Sequence, residues 1–439
     1  MSHNGQQLTD NIKKIRVAIL AEEPIGWPSG KNFFQIILDG YTWTKDNLTF
    51  QISTDYLFDI DILNGKLTTK NFDVLLVPGG GVGDGEAIVK GLGNFGKTRI
   101  WKKNISDFIK NGGGYVGICG GTALITRLLT ENGRPKTILG KLYDKSSLDV
   151  SSVVSYYKSI AFPLIYPFQL KYPQKVGAAA YVFSFAPGET VNGTRFFSGG
   201  VPIDFKIKKD NPIFSDFPYD SVRIRWWGGP ALIVPDEHDR EIKILATYPE
   251  KELSDDESTK IIAWKYKGGI RGFIFAIFKA LKFIKENNEH LRSLPIFTYY
   301  FAGDWIQTKI PIELDYKNKA AMTLEIYPNE NKGRIILTTA HPEYMIWRDG
   351  KIEEVEDTGF NCIANGFHKW NHVAPLSKDI SVELTSTWWI VRRMVAWAAK
   401  ISQKHMLPIT KEKLTEENKE VLSSEIFWDG TASHQMSNI

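Results

Sequence analysis

Cysteine is almost absent from this chain of 439 residues, which contains only Cys119 and Cys362. Two thiols so far apart in sequence cannot build a disulfide framework or a Cys-based metal site, and they fit a reducing interior. Long hydrophobic runs are missing as well. The first apolar run, 17–21, is too short for a signal-peptide core, and the most apolar later stretch, 272–284, contains two lysines and is shorter than the about 20 residues that a bilayer span needs.

These absences predict a cytoplasmic protein without a membrane partner, in which 272–284 is an amphipathic helix packed against the rest of the chain. Charge of one sign is also lacking, because 54 Lys+Arg stand against 50 Asp+Glu and no long basic block occurs. That balance makes nucleic acid a poor partner. The hydrophobic fraction of 43% is enough for a large core. The composition leaves a small-molecule substrate, a protein partner or a second copy of the chain open as partners.

Metal-ligand patterns are weak, and no metal or cofactor is predicted. His368 and His372 are four residues apart, as helical zinc ligands would be, but the glycine and asparagine around them favour a loop. His238 lies in a run of charged residues that is typical of a solvated turn.

Short β-branched runs alternate with helical patterns over the first 130 residues, which is typical of βαβ units. The predicted fold class is α/β, with a mostly parallel open sheet flanked by helices. The predicted strands are 16–20, 49–53, 73–77, 115–118, 205–207, 222–226, 242–247, 261–266 and 334–340. Helices are predicted at 31–43, at 99–110, from Gly120 through Leu129 and at 387–401.

Two aromatic-rich stretches without a clear period, 142–194 and 268–331, are predicted to be insertions into a single domain that spans 1–406. The residues from 407 to 439 are charged and polar, and they are predicted to form a mobile tail.

The sharpest chemical pattern is Gly117-Ile118-Cys119-Gly120-Gly121, at the junction of a predicted strand and a helix. A nucleophile on such an elbow has a strained backbone, and flanking glycines let the strand and the helix pass closely. A helix N-terminus also favours thiolate over thiol. The pattern predicts a reactive Cys119. The alternative is a small buried hydrophobic residue, since free cysteines are among the most buried residues.

Two more motifs follow predicted strands at the same edge of the sheet, where α/β folds place their sites. The backbone N–H groups of Pro78-Gly79-Gly80-Gly81, together with that of Gly120, could bind an oxyanion. In His341-Pro342-Glu343 the two ionisable side chains point the same way if the segment is extended, so Glu343 could orient His341 as a base for the thiol. Taken alone, each motif is equally compatible with an ordinary tight turn.

Together these motifs resemble the oxyanion loop, nucleophile elbow and His/Glu pair of the class I glutamine-amidotransferase-like superfamily. Within it, the run 112–121 and the Trp226-Trp227-Gly228-Gly229-Pro230 stretch resemble the N-terminal domain of eukaryotic biotin-protein ligases and its free-standing microbial relatives. The resemblance covers about residues 14–140, 196–266 and 333–400.

The resemblance implies that Cys119 is the nucleophile, His341 the base and Glu343 its orienting residue, with Gly80 and Gly120 as oxyanion donors. Candidate substrate-binding residues flank these positions: Gly79, Gly81, Gly121, Trp227, Gly228, Gly229 and Tyr344.

Three departures from the superfamily limit what the resemblance implies. Thr122-Ala123 stands where glutamine-hydrolysing members have a pair that ends in Gln, which makes glutamine a doubtful substrate. Gly120 stands where the related peptidase branch has His, which disfavours that branch. No adenylate loop of the Gly-Arg-Gly-Arg type occurs, so biotinylation is not implied.

Three hypotheses about function remain open. The first is a Cys-dependent hydrolase or acyl-transfer enzyme acting on an amide or similar carbonyl, with the insertions as a lid. The second is a catalytically silent binding or regulatory domain, and the third is an interaction module that uses the aromatic insertions.

Overall fold

The computed structural model of the chain describes most of the sheet and the helices that cover it. The described residues are 12–21, 28–79, 95–134, 136, 141, 144, 147–157, 190–191, 194–195, 201–226, 229–255, 262–266, 271–272, 274–275, 278, 305–311, 313–343 and 385–418.

Seventeen strands and five α-helices are formed within these ranges. The strands are β1 (Ile12–Leu20), β2 (Thr42–Lys45), β3 (Leu48–Leu57), β4 (Val74–Val77), β5 (Gly114–Ile118), β6 (Arg127–Leu129), β7 (Val154–Tyr156), β8 (Thr190–Val191), β9 (Thr194–Arg195), β10 (Val201–Ile207), β11 (Ser221–Trp226), β12 (Ala231–Ile233), β13 (Glu241–Thr247), β14 (Ile262–Tyr266), β15 (Trp305–Pro311), β16 (Ala320–Ile326) and β17 (Arg334–Thr338). The helices are α1 (Pro28–Leu38), α2 (Asp59–Leu63), α3 (Phe95–Lys110), α4 (Gly120–Ile125) and α5 (Trp388–Ala398).

Thirteen strands form one sheet, whose main path runs β11-β10-β13-β16-β17-β5-β4-β1-β3-β2. The five strands from β17 to β3 are parallel to one another, and the other strands of this main path pair antiparallel. This sheet, with helices on its faces, confirms the predicted α/β fold class. The carboxyl ends of β4, β5 and β17 lie side by side, because these three strands are parallel neighbours.

The central strands are apolar along their whole length because both of their faces are covered. Every residue of β4 and of β5 is buried, as expected for parallel strands between two layers of helices. On one face, Trp101, Ile105 and Phe108 of α3 join the core around β4. On the other face, α1 and α5 contribute to the second core, and α5 is buried throughout.

Two helices end earlier than their sequence patterns predict. The first ends at Leu38 rather than at residue 43, because Gly40 turns the chain with φ of 71°. Trp43 then lies on strand β2, where its ring stacks on Phe50 at a centroid distance of 4.9 Å. The helix after Cys119 ends at Ile125 rather than continuing to Leu129, since the next residues form β6 and pair with β7.

Both predicted insertions contain a strand of the main sheet that the sequence patterns did not predict, and the extents of the insertions stay predictions. Strand β16, which falls inside 268–331, pairs with both β13 and β17 and is almost wholly buried. Strand β7, inside 142–194, pairs with β6 and β12. The aromatic neighbours of these strands obscured short apolar segments in the sequence. The single-domain extent of 1–406 stays a prediction, and most of the 142–194 stretch lies outside the described residues.

The residues just after 407 belong to the folded structure, which corrects the prediction that mobility begins there. Leu407 is fully buried and Leu414 nearly so. Arg392 forms a two-pronged ion pair with Glu412, and the Arg393 guanidinium donates to Leu407 O. A guanidinium buried in this way needs its partners, which fixes the segment against α5. Residues 419–439 lie outside the described part.

The described positions of 272–284 are helical, as predicted, but three of their apolar side chains are exposed and not packed as the prediction had them. Ile274, Phe275 and Phe278 are 47%, 60% and 65% exposed. Among the residues described, no helix combines the length and apolarity that a membrane span requires.

Candidate functional site

Cys119 occupies a strained elbow between β5 and α4. Its backbone has φ of 47° and ψ of −106°, a conformation that residues with a side chain rarely adopt. Two backbone hydrogen bonds hold it there: the Cys119 N–H donates to Thr338 O at 2.7 Å, and the Thr122 N–H donates to Cys119 O at 2.9 Å. Strain of this kind persists only where surrounding contacts enforce it, and it concentrates at functional sites.

Two glycines around Cys119 allow the close approach that the elbow requires. A Cβ at Gly121 would overlap the carbonyl oxygen of Val77 and would lie 3.0 Å from Val77 Cβ. A Cβ at Gly117 would lie 2.8 Å from Gly121 O. The Tyr115 hydroxyl donates to the same Gly121 oxygen at 2.6 Å. The small residues on either side of the nucleophile position therefore have the steric purpose that the sequence predicts for them.

Thr122 ties the elbow to the neighbouring strand, a role that the sequence did not reveal. Its hydroxyl is fully buried and lies 3.2 Å from Gly117 O and 3.0 Å from Thr338 O. One hydroxyl hydrogen thus links the end of β5 to the end of β17. The sequence drew attention to Thr122 only because it precedes Ala123, which stands where glutamine-hydrolysing members of the superfamily have Gln.

His341 and Glu343 form a buried pair at the end of β17. Nδ1 of His341 lies 2.8 Å from Oε1 of Glu343, and the two residues are 2% and 0% exposed. The backbone N–H of His341 donates to the backbone carbonyl oxygen of Arg225 at 2.7 Å, and this bond anchors the turn to the end of β11. The two side chains lie together although residues 342–343 form a turn, and not the extended segment from which their contact was predicted.

The side chains of His341 and Cys119 lie close together beside Gly79. A Cβ placed on Gly79 would lie 2.6 Å from His341 Cε1 and 2.7 Å from Cys119 Cβ. Since both atoms lie so close to one point, the ends of β4, β5 and β17 bring Gly79, Cys119 and His341 into one cluster. Cys119 and His341, which are 222 positions apart in sequence, thus lie beside each other, and the hydrogen-bond distance between the Cys119 sulfur and a His341 nitrogen stays a prediction.

The charge balance around His341 favours the imidazolium form. Burial lowers the pKa of His341, but the interactions of the ring with Glu343 and Cys119 outweigh burial and raise the pKa to about 10. An imidazolium between a carboxylate and a sulfur is the arrangement that stabilises a thiolate.

This shift predicts a pH-dependent contribution of His341 to stability. Since the folded-state pKa is raised from 6.5 to about 10, the contribution is complete below about pH 6.5 and is lost as the pH rises towards 10. The difference in unfolding free energy between the wild-type protein and His341→Gln should therefore shrink over this interval. Urea unfolding of both proteins at pH 6, 8 and 10 measures it, and a difference that grows with pH would contradict the assignment.

Trp226, Gly229 and Pro230 support the strand end from which His341 projects. A Cβ on Gly229 would overlap Thr339 O, so only glycine fits there. The Trp226 indole donates to Gly229 O at 3.1 Å. The Tyr248 hydroxyl donates to Pro230 O at 3.0 Å and lies 2.9 Å from Thr339 Oγ1. These contacts give Gly229 a supporting role beside the site, in addition to its prediction as a substrate-binding residue.

The sequence analysis missed Tyr248, whose phenol is close enough to Cys119 to interact with it electrostatically. Burial raises the pKa of the Tyr248 phenol well above its usual range, and the negative charge of Cys119 adds to that effect. Tyr248 therefore remains a neutral hydroxyl at any working pH. It directly follows strand β13, and that position gave no signal of this role.

Of the two predicted oxyanion donors, Gly120 lies within the described residues. Gly120 is the first residue of α4 and is buried, and its N–H belongs to the helix end that lacks intrahelical partners. The other predicted oxyanion donor, Gly80, lies outside the described residues, as do Cys362, His368, His372 and the substrate-binding candidates Gly81, Trp227, Gly228 and Tyr344. Within the described ranges no group of three potential metal ligands occurs. His238 is exposed, as predicted for a solvated turn.

Comparisons with known proteins add little to this geometry. No protein-family model and no curated protein matches the sequence. Among solved structures, the chain is similar to a candidate GMP synthase subunit from Thermoplasma acidophilum, with 10% sequence identity and a TM-score of 0.30. That similarity covers 88% of this chain and 94% of the other. At these values the similarity carries no argument about function.

Proposed function

We propose that the chain is a cysteine-dependent hydrolase or acyl-transfer enzyme that acts on an amide or a similar carbonyl compound. One observation carries the proposal: Cys119 is held at positive φ on a strand-to-helix elbow beside His341, which is itself bonded to Glu343. A nucleophile, a base and an orienting carboxylate in this order are the parts of a catalytic triad. The superfamily resemblance of the motifs points to the same chemistry.

The proposed reaction begins from the thiolate and imidazolium pair. The Cys119 sulfur attacks the carbonyl carbon, a C–S bond forms, and the carbonyl electron pair moves to the oxygen. The N–H groups of Gly120 and Gly80 are the proposed donors to that oxyanion. As the C–N or C–O bond breaks, His341 gives its proton to the leaving group. His341 then takes a proton from water or another nucleophile, which attacks the thioester carbon and forms a new bond to it. The C–S bond breaks, the acyl group leaves on that nucleophile, and Cys119 returns to the thiolate beside the imidazolium.

Glutamine is not the proposed substrate. The pair at 122–123 is Thr-Ala, and the Thr122 hydroxyl already lies between two backbone carbonyls in a buried position, so it is not available to hold a substrate amide. Purified protein is expected to release no more ammonia from glutamine than Cys119→Ala does. A coupled glutamate dehydrogenase assay measures this, and turnover that Cys119→Ala abolishes would contradict the interpretation of Thr122.

A catalytically silent binding or regulatory domain is the second candidate, and the low exposure of the cluster favours it. Cys119 is 7% exposed and His341 2% exposed. A panel of activated esters and amides, tested with the wild-type protein, Cys119→Ala and His341→Ala, separates the two candidates. Turnover of at least one compound that both variants lose is expected for the enzyme. Labelling of Cys119 that is no faster than that of an unfolded control, with no turnover, would favour the silent domain.

A further inference from the structure

Two side chains at the start of helix α5 donate hydrogen bonds to the turn that His341, Pro342 and Glu343 form. The Thr387 hydroxyl donates to Pro342 O at 2.6 Å, and the Trp388 indole N–H donates to Glu343 O at 3.0 Å. Both donors are buried, at 3% and 1% exposure. Thr387 and Trp388 are 45 residues away from the turn in sequence, and the helix that they begin packs against β4, β5 and β17.

These bonds fix the part of the turn that sets the distance between the imidazole and the carboxylate. The His341 N–H is already bound to Arg225 O. Pro342 has no N–H to offer, so its only backbone hydrogen-bonding group is the carbonyl that Thr387 binds. The Glu343 carbonyl is bound by Trp388. The backbone is thus fixed at three successive residues, and with it the separation of 2.8 Å between His341 Nδ1 and Glu343 Oε1.

Loss of either donor would leave a buried carbonyl without its partner, and the turn could relieve this only by rotating. Rotation about Pro342 or Glu343 moves the carboxylate relative to the ring. The imidazolium would then lose part of the interaction that maintains its charge, and the thiolate beside it would be less favoured. The effect would appear in the ionisation of Cys119 rather than only in stability.

We infer that Thr387 and Trp388 are positioning residues for the His341–Glu343 pair. The inference rests on the proposed function, because it assigns them a role in maintaining the thiolate of Cys119. Neither residue carries a sequence signal of this role, since Trp388 reads only as part of the apolar face of a helix.

A neighbouring tryptophan provides a matched control. Trp389 is 2% exposed and donates its indole N–H to a backbone carbonyl, that of Ser386, at 3.1 Å. Trp388→Phe and Trp389→Phe therefore remove the same atoms and the same kind of bond from adjacent buried positions. Only the first of these bonds reaches the His-Pro-Glu turn.

The test is the rate of Cys119 carbamidomethylation by iodoacetamide between pH 5 and 9, read by mass spectrometry. Trp388→Phe is expected to lower the rate at pH 6.5 roughly threefold to tenfold and to move the rise in rate to higher pH. Trp389→Phe should keep the wild-type profile even if it lowers the melting temperature. Thr387→Val should act like Trp388→Phe, and Thr387→Ser, which keeps the hydroxyl, should restore the profile.

The outcomes separate the inference from the proposed function. If His341→Ala lowers the rate but both tryptophan variants give the same profile, the positioning role is wrong and the proposed function stands. If His341→Ala has no effect, the proposed function fails first. Should Trp388→Phe not fold, the Thr387→Val and Thr387→Ser pair decides, and equal profiles for these two would overturn the inference.

Discussion

Gly121→Ala is expected to destabilise the protein by about 3 kcal/mol or more, a large change for a single methyl group. The added Cβ would overlap Val77 O and lie 3.0 Å from Val77 Cβ, at the place where α4 crosses the end of β4. Both obstacles belong to a buried central strand, so neither can move without disturbing the sheet. The Gly121 carbonyl is held by Tyr115 as well, which prevents the helix from shifting away.

Urea unfolding of Gly121→Ala, with Gly40→Ala as a control, measures this effect. Gly40 has φ of 71° and no atom within 4 Å of the added Cβ, so its substitution introduces only backbone strain, about 1 kcal/mol. Equal losses in the two variants would show that the elbow tolerates a side chain at 121 and that the close approach is not what the glycine provides.

The central part of the fold could be predicted from the sequence because its strands are buried on both faces. Strand β4 contains only Val and Leu, and the buried face of α3 repeats at helical spacing. In such elements the local pattern and the tertiary environment agree, so the pattern alone is sufficient.

The outer part of the sheet could not be predicted in the same way. Strand β16 is the neighbour of β17, yet its sequence Ala-Ala-Met-Thr-Leu-Glu-Ile includes Glu325, whose buried carboxylate is compensated by Ser151 and Arg240. These partners are 174 and 85 residues away in sequence. A strand that depends on such distant partners shows no clear period and was placed inside an insertion.

The residues of the candidate site show the same contrast between local sequence patterns and contacts that are distant in sequence. Cys119, His341 and Glu343 could be identified because each follows directly from a strand end or a glycine-flanked elbow, which are local features. Their supporting residues could not be identified. Thr122 bonds a carbonyl 216 residues away, and Tyr248 bonds a hydroxyl 91 residues away. Only the folded chain shows that these side chains surround the nucleophile position.

The second large effect concerns the reactivity of Cys119 and its dependence on His341. An ordinary thiol is about 1% ionised at pH 6.5, whereas a sulfur paired with an imidazolium is largely thiolate there. The lower nucleophilicity of a stabilised thiolate offsets part of this gain. His341→Ala is therefore expected to slow the alkylation of Cys119 about tenfold at pH 6.5, with a smaller effect at pH 9, where ordinary thiols also ionise.

Cys362 serves as an internal reference, because it is the only other thiol in the chain. Its alkylation rate should follow the profile of an ordinary cysteine in both proteins. A general loss of structure in His341→Ala would speed or slow both cysteines, whereas loss of the imidazolium should change Cys119 alone. Glu343→Gln, which keeps the shape of the orienting residue and removes its charge, should give an intermediate effect on Cys119.

The central claim, that Cys119, His341 and Glu343 act as one unit, is tested most directly by iodoacetamide labelling of the two cysteines from pH 5 to 9 in the wild-type protein and in His341→Ala. The account predicts that wild-type Cys119 reacts faster than Cys362 below pH 7 and that His341→Ala removes this difference. Equal rates for the two cysteines in the wild-type protein, or a Cys119 profile unchanged by His341→Ala, would contradict it.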